Sequence, residues 1–286
     1  MSFRIERQTA LLANGFRSIL RRQLSRAIKE LEISPRAPTA ARIHGARKRM
    51  KKVRSALSLL EKASFHAVER TDHDLLRDAS AEVAAARNAE ANVNALSRLC
   101  SDSGSDNLRF SLAFGLLNKQ KDALTRGTAG SMHRAATLLK GSLSRIGAWD
   151  DTAIAWKEVR HGLKLFYKRG RETFRKAADD PSTENLHRWR KRAKDLHHGL
   201  KLMQDANPKA IRKLARDLKK LCALLGTDHD LAILLETLGQ SSIGREKAVL
   251  DKLIAAHRRK TQCKALKLGA KFFSRKPGAF VEKIDG

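Results

Sequence analysis

The string His-x-x-Arg-Lys-Arg-x-Lys occurs twice, from His44 to Lys51 and from His187 to Lys194, 143 residues apart in a chain of 286. A repeat at half the chain length restricts the fold to two similar halves built on one plan. Within each copy, the histidine and three cations fall at offsets 0, +3, +4 and +7, which is one face of a helix. The match extends beyond the string at the same offset. Ile43 pairs with Leu186, Val53 with Leu196, Leu57 with Leu200, Leu60 with Met203, Arg17 with Arg160 and Arg21 with Lys164.

Those halves are predicted to be helical throughout. Ala, Leu, Lys and Arg are abundant, only five prolines occur, and no alternating strand pattern with hairpin turns is present. Breaks fall at Ser34 to Pro38, Thr71-Asp72, Ser101 to Asp106, Gly127 to Ser131 and Gly147, then at Asp180-Pro181, Asn207-Pro208, Gly226-Thr227 and Gly239 to Gly244. They leave about nine or ten helices. The expected class is all-α: two similar antiparallel helical bundles related by an internal pseudo-twofold duplication around a basic central channel. It would form a single domain over residues 5–283, with halves of about 5–147 and 148–283, handing over near Gly147 to Asp151.

Composition narrows the partners. There are 59 Lys and Arg against 30 Asp and Glu, a net charge of +29, and 42% hydrophobic residues. The hydrophobic share supports a real core, and the charge excess is best tolerated beside a polyanion. Nucleic acid, acidic lipid and inorganic polyphosphate all qualify. No run of about 18 apolar residues suggests a membrane span, and no apolar run of signal-peptide length lies between Met1 and Arg22. Cys100, Cys222 and Cys263 have no metal-like spacing and fit a reducing compartment. The expectation is a cytoplasmic protein, with association with polyphosphate granules as its extension.

At 100° per residue with His44 at 0°, Arg47, Lys48, Lys51 and Arg54 lie between about −80° and 40°. Ile43, Ala46, Met50, Val53, Leu57 and Leu60 fill the opposite sector. The second copy sorts likewise: His187, Arg190, Lys191, Lys194 and His198 form a basic strip, with His197 at its edge. Leu186, Trp189, Ala193, Leu196, Leu200 and Met203 lie behind it. A solvated face normally interleaves both signs, yet His44 to Arg54 contains no acid. On the preceding helices, Arg17 and Arg21 share a sector with Leu20 and Leu24, while Arg160, Lys164 and Arg171 share one with Leu163 and Tyr167. Charged heads on an apolar face either line a wet, anion-filled space or snorkel to water.

The pattern His44-x-x-Arg47-Lys48-x-x-Lys51-x-x-Arg54, with its second copy, resembles the CHAD family, the conserved histidine α-helical domain. Gly162-Leu163 through Tyr167, Gly170-Arg171, Leu225-Gly226-x-x-x-Asp230-Leu231 and Pro277-x-x-Phe280 support the resemblance, which runs from about Ile5 to Lys283. It implies a helical domain with a basic channel binding inorganic polyphosphate, without catalysis or cofactor. Carried over, the ligands would be His44, Arg47, Lys48, Lys51 and Arg54, with His187, Arg190, Lys191 and Lys194. Arg17, Arg21, Arg160, Lys164, Tyr167, Arg171, His197 and His198 are secondary candidates. The sequence departs from the family at Arg87-Asn88, where an Arg-Asp pair is usual, and at His197, where a cation often sits. The Glu-x-Glu-x-Lys strand motif of an associated triphosphate hydrolase is absent; Glu30-Leu31-Glu32 is the nearest approach.

Two competing chemistries are weaker. Asp72-His73-Asp74 and Asp228-His229-Asp230 suggest a metal-dependent phosphohydrolase, but their offset of 156 breaks the repeat. Helix capping from Thr71 and Thr227, with Asp74 and Asp230 at the third position, explains them as well. A nucleic-acid binder could use the same basic strips. Aromatics are only 5% of residues, however, and the strips offer no stacking platform.

Overall fold

The computed structural model describes residues 12–32, 39–63, 68–149, 154–205, 207–239, 241 and 243–285. The expected break from Ser34 to Pro38 and the residues Asp150 and Asp151 lie outside that set. Eleven α-helices occur among the described residues: α1 (Leu12–Glu32), α2 (Thr39–Lys62), α3 (Arg70–Glu82), α4 (Ala84–Ser103), α5 (Ser111–Arg126), α6 (Thr128–Gly147), α7 (Trp156–Asp179), α8 (Thr183–Leu202), α9 (Pro208–Gly239), α10 (Arg245–Phe272) and α11 (Pro277–Asp285). A 3₁₀ turn, Asn107–Phe110, precedes α5. No strand is present among these residues, and no helix is long and apolar enough to cross a membrane.

Helix ends follow local chemistry. Pro208 and Pro277 open α9 and α11, where a missing N–H removes no helical bond. The Ser182 hydroxyl caps α8 by accepting from the Asn185 N–H. Gly104, at φ 65°, ends α4 within the predicted Ser101 to Asp106 break. Three boundaries differ from expectation. Thr227 lies inside α9, which continues through Gly226 because both flanks of the glycine are anchored, Leu225 in one hydrophobic cluster and Leu231 in another. α3 and α4 part at Val83, and α11 separates from α10 after Phe272.

α1 and α2 form one antiparallel pair, and α7 and α8 form another. α6 packs on α1 and α3, while α10 packs on α9. The halves meet where α2 lies against α7 and α8, and where α4 lies against α9. One hydrophobic core runs through both halves, and a second cluster joins α4 and α5 to the C-terminal part of α9 and the start of α10. Ser55 and His198, corresponding positions of the repeat, touch at 3.1 Å, so α2 and α8 cross where each meets its counterpart.

The α2–α7 approach is set by Gly162. A Cβ there would lie 2.9 Å from the Leu59 carbonyl oxygen and its Cδ1. Gly162→Ala is therefore expected to destabilise by about 1–3 kcal/mol, outweighing the ~1 kcal/mol that alanine gains in helix propensity. A lowered urea midpoint checks this; an unchanged one would mean the helices stand further apart.

Candidate functional site

The apolar sector of α2 is buried as its spacing requires: Ile43, Ala46, Met50, Val53, Leu57 and Leu60 are all within 1% of full burial. On α8, Leu186, Trp189, Ala193, Leu196, Leu200 and Met203 are buried too. Anchoring these two faces brings the inner members of the strips, Lys51 and Lys194, within electrostatic reach of each other.

Arg47 and Lys51 of α2, Arg190 and Lys194 of α8, and Arg87 of α4 form one cationic cluster. Burial, reinforced by Lys194, Arg47, Arg190 and Arg87, pulls the Lys51 ammonium from its ordinary 10.5 to about 7. Burial and Arg190 bring Lys194 to about 8. Arg47 is lowered to about 10 by burial, then by Arg87 and Arg54, and Arg190 is lowered mainly by burial. The Arg47 Nη1 donates to the Ser80 carbonyl of α3 at 2.6 Å, yet its Nε and that of Arg190 are buried without a partner. Among the described residues, no carboxylate lies within 4 Å of either lysine. The nearest acid of consequence, Asp230, is engaged by Arg98 at 3.3 Å.

Desolvated and mutually repelling cations without a carboxylate partner are costly, and a counter-anion would offset that cost. At this spacing, arginine can fork two oxygens of a phosphate while lysine supplies a mobile point charge.

The remaining strip residues surround the cluster. Lys48 and Lys191 are exposed at corresponding places on its solvent side, and Arg54 is partly buried. His44 is exposed but opens on a cavity of about 120 Å³ lined also by Arg87, Glu90, Arg98 and Asp230. Burial, Arg87 and the strip cations lower its pKa. His187 is partly buried, and its Nδ1 lies 3.2 Å from the Nδ1 of His229 on α9. Arg87 and His229 thus face the strip histidines from outside the repeated string. Sequence periodicity on α2 and α8 could not find them, although both lie in segments that had attracted notice for other reasons.

The secondary candidates divide. His197 borders the cluster, lowered to about 4 by burial, then by Lys201, Lys194 and Lys219. His198 is held by the Ser55 hydroxyl, which donates to Asp195 at 3.0 Å or to the His198 ring at 3.1 Å. That buried node joins α2 to α8. Arg17 donates to the Trp149 carbonyl at 2.6 Å and to the Asn14 side chain, tying α1 to the end of α6. Tyr167 is fully buried; its hydroxyl donates to the carbonyls of Phe272 and Arg275, and its ring stacks on Phe280 at 4.0 Å. Arg171 donates to the Phe273 carbonyl, closing the end of α10. These three are joints of the fold, not members of the cluster. Arg21, Arg160 and Lys164 are exposed on α1 and α7.

The Asp-His-Asp strings do not converge. Asp72, not Thr71 or Asp74, secures α3, accepting from the Glu69 N–H at 2.9 Å and from Arg145 at 3.0 Å. Asp228 accepts from Arg258 at 2.9 Å and Gln262 at 2.8 Å. Among the described residues, no group of three or more His, Cys, Asp and Glu is placed to hold a metal ion.

The architecture is all-α, with two basic helices that bring their inner cations into one cluster. The CHAD domain family model matches residues 18–239, and the chain belongs to that family. Among solved structures, the crystal structure of the CHAD domain from the plant Ricinus communis has the same fold. Its TM-score is 0.70 at 18% identity, covering 96% of this chain and 95% of that one. No curated protein matches.

Proposed function

We propose that this protein binds inorganic polyphosphate at the cationic cluster between α2, α8 and α4, and that it does so without catalysis. The observation carrying this reading is the convergence of Arg47, Lys51, Arg190, Lys194 and Arg87 without a carboxylate partner at the lysines. Membership of a family known for polyphosphate binding supports the same ligand. A linear phosphate polymer needs only closely spaced charge and bidentate donors, and the cluster offers both. Trp189, the sole aromatic of the basic strings, is buried, which leaves no stacking surface there for bases.

A titration with polyphosphates of graded length, repeated with single-stranded and duplex nucleic acid over a salt series, tests the proposal. Affinity should rise with chain length, and log K should fall linearly with log salt, with a slope set by the phosphates neutralised. Nucleic acid that displaced polyphosphate at equal phosphate concentration would reassign the site to that ligand.

A further inference from the structure

The two strip histidines face different partners: Arg87 for His44, and His229 for His187. Arg87 presents a guanidinium, which only donates, so the first arrangement offers fixed donors. The second is two imidazoles whose Nδ1 atoms lie 3.2 Å apart, with ring centroids at 4.6 Å. At that distance the rings share one proton: one Nδ1–H donates and the other Nδ1 accepts. In the neutral pair, the acceptor ring carries Nε2–H and the donor ring carries a bare Nε2. The pair therefore offers one outward donor. A single proton from solvent, taken at that bare Nε2, changes this. Both Nε2 atoms then become donors, the N–H···N bond survives as a charge-assisted one, and the pair carries one positive charge. No second proton is needed, and none is favoured with two cations so close.

We propose that His187 and His229 form a conditional phosphate clamp that extends the polyanion site only when the pair has taken up this proton. The inference rests on the polyphosphate reading above and names its regulation by acid. The groups around His229 keep the free pair neutral. Burial opposes its charge most, followed by Arg190, His187 and Lys194 of α8 and Arg87 of α4, while burial, Lys191 and Arg190 oppose the charge of His187. The two acids that flank it in sequence are committed elsewhere, Asp228 to Arg258 and Gln262 of α10 and Asp230 to Arg98 of α4. An arriving phosphate thus supplies negative charge that neither flanking carboxylate is free to give.

The test is calorimetric binding of long-chain polyphosphate at about pH 7 and about pH 5.5 at fixed ionic strength, with the wild type, His229→Gln and His229→Arg. Long chains are used because terminal phosphates titrate near pH 6 and must stay a small fraction of the ligand. Lys51 and Lys194 titrate in all three proteins, so the difference between variants isolates the pair. Proton linkage permits up to tenfold per pH unit for each proton taken up. The wild type should therefore gain about tenfold on acidification, His229→Gln should gain less than about threefold, and His229→Arg should bind tightly with only the small gain that the two lysines contribute. An undiminished acid gain in His229→Gln overturns this inference alone. Absence of wild-type binding at both pH values overturns the functional reading and the inference with it. Proton uptake by the wild type, measured in two buffers of different ionisation enthalpy, provides a check independent of variant folding. Uptake of about one proton more near pH 5.5 than the lysines account for supports the clamp, and no excess contradicts it.

Discussion

The fourfold variant in which Arg47, Lys48, Arg190 and Lys191 become alanine is expected to lose about two to three orders of magnitude in polyphosphate affinity while keeping its helical fold. The magnitude follows from counterion release. For a flexible single-chain polyanion, each neutralised phosphate contributes about 0.7 to the slope of log K against log salt. Near physiological ionic strength that corresponds to roughly 1 kcal/mol per contact, and four contacts give roughly 4 kcal/mol. The salt slope itself should fall by about 3, which separates lost contacts from a general loss of structure.

The fold should survive because of where these side chains sit. Lys48 and Lys191 are exposed, and Arg190 leaves a buried Nε unpaired, so removing them relieves repulsion without breaking a joint. Only Arg47 holds a structural bond, to Ser80 of α3. Losing one such bond costs about 1–3 kcal/mol, a penalty offset by weakened repulsion in the cluster. Circular dichroism and a cooperative thermal transition would establish that the variant is folded. If that folded variant bound polyphosphate as tightly as the wild type, the ligand would lie elsewhere on this basic surface.

The sequence made the two strips legible because a helix face is a local property. Advancing 100° per residue sorted Ile43, Met50, Val53 and Leu57 from Arg47 and Lys51, and the burial of those apolar residues follows the sorting. Helix breaks at Gly104, Pro181 and Pro208 were legible for the same reason, since turn residues act on their own backbone. What failed depended on neighbours distant in the chain. Gly226 reads as a break, but it lies within a 32-residue helix whose buried leucines anchor one cluster before it and another after it. Nor does the periodicity of Arg17 and Arg171 announce the carbonyls at Trp149 and Phe273 that accept from them. Arg87 and His229 reach the strips only because α4 packs against α2 and α9 against α8, and no spacing within either helix announces it.

The unliganded protein is expected to become more stable as pH rises from about 7 to about 8.5, and polyphosphate should abolish that slope. Lys51 has a folded-state pKa of about 7 and Lys194 one of about 8, against an ordinary lysine value of 10.5. Between those limits the unfolded chain holds more protons than the folded one, so unfolding becomes less favourable as pH increases. Each lysine contributes up to about 1.4 kcal/mol per pH unit in that window, and the penalty is fully present below about 7. At the alkaline end the trend is opposed by Cys222, pushed up to about 12 chiefly by burial. Its unfolded counterpart ionises near 9, which favours unfolding above that pH. Urea midpoints in buffers free of phosphate and sulfate should therefore climb across the window. A bound polyanion restores both ammonium groups to the charged form, removing the proton difference between the states. It also adds about 4 kcal/mol when present at a thousandfold excess over its dissociation constant. Lys51→Met, which keeps the aliphatic stem without the charge, should be more stable than the wild type near pH 7 and show a shallower rise. A wild-type stability that is flat or declining from about pH 7 to 8.5 without ligand would mean that these ammonium groups are well solvated, and that no anion is needed to hold them together.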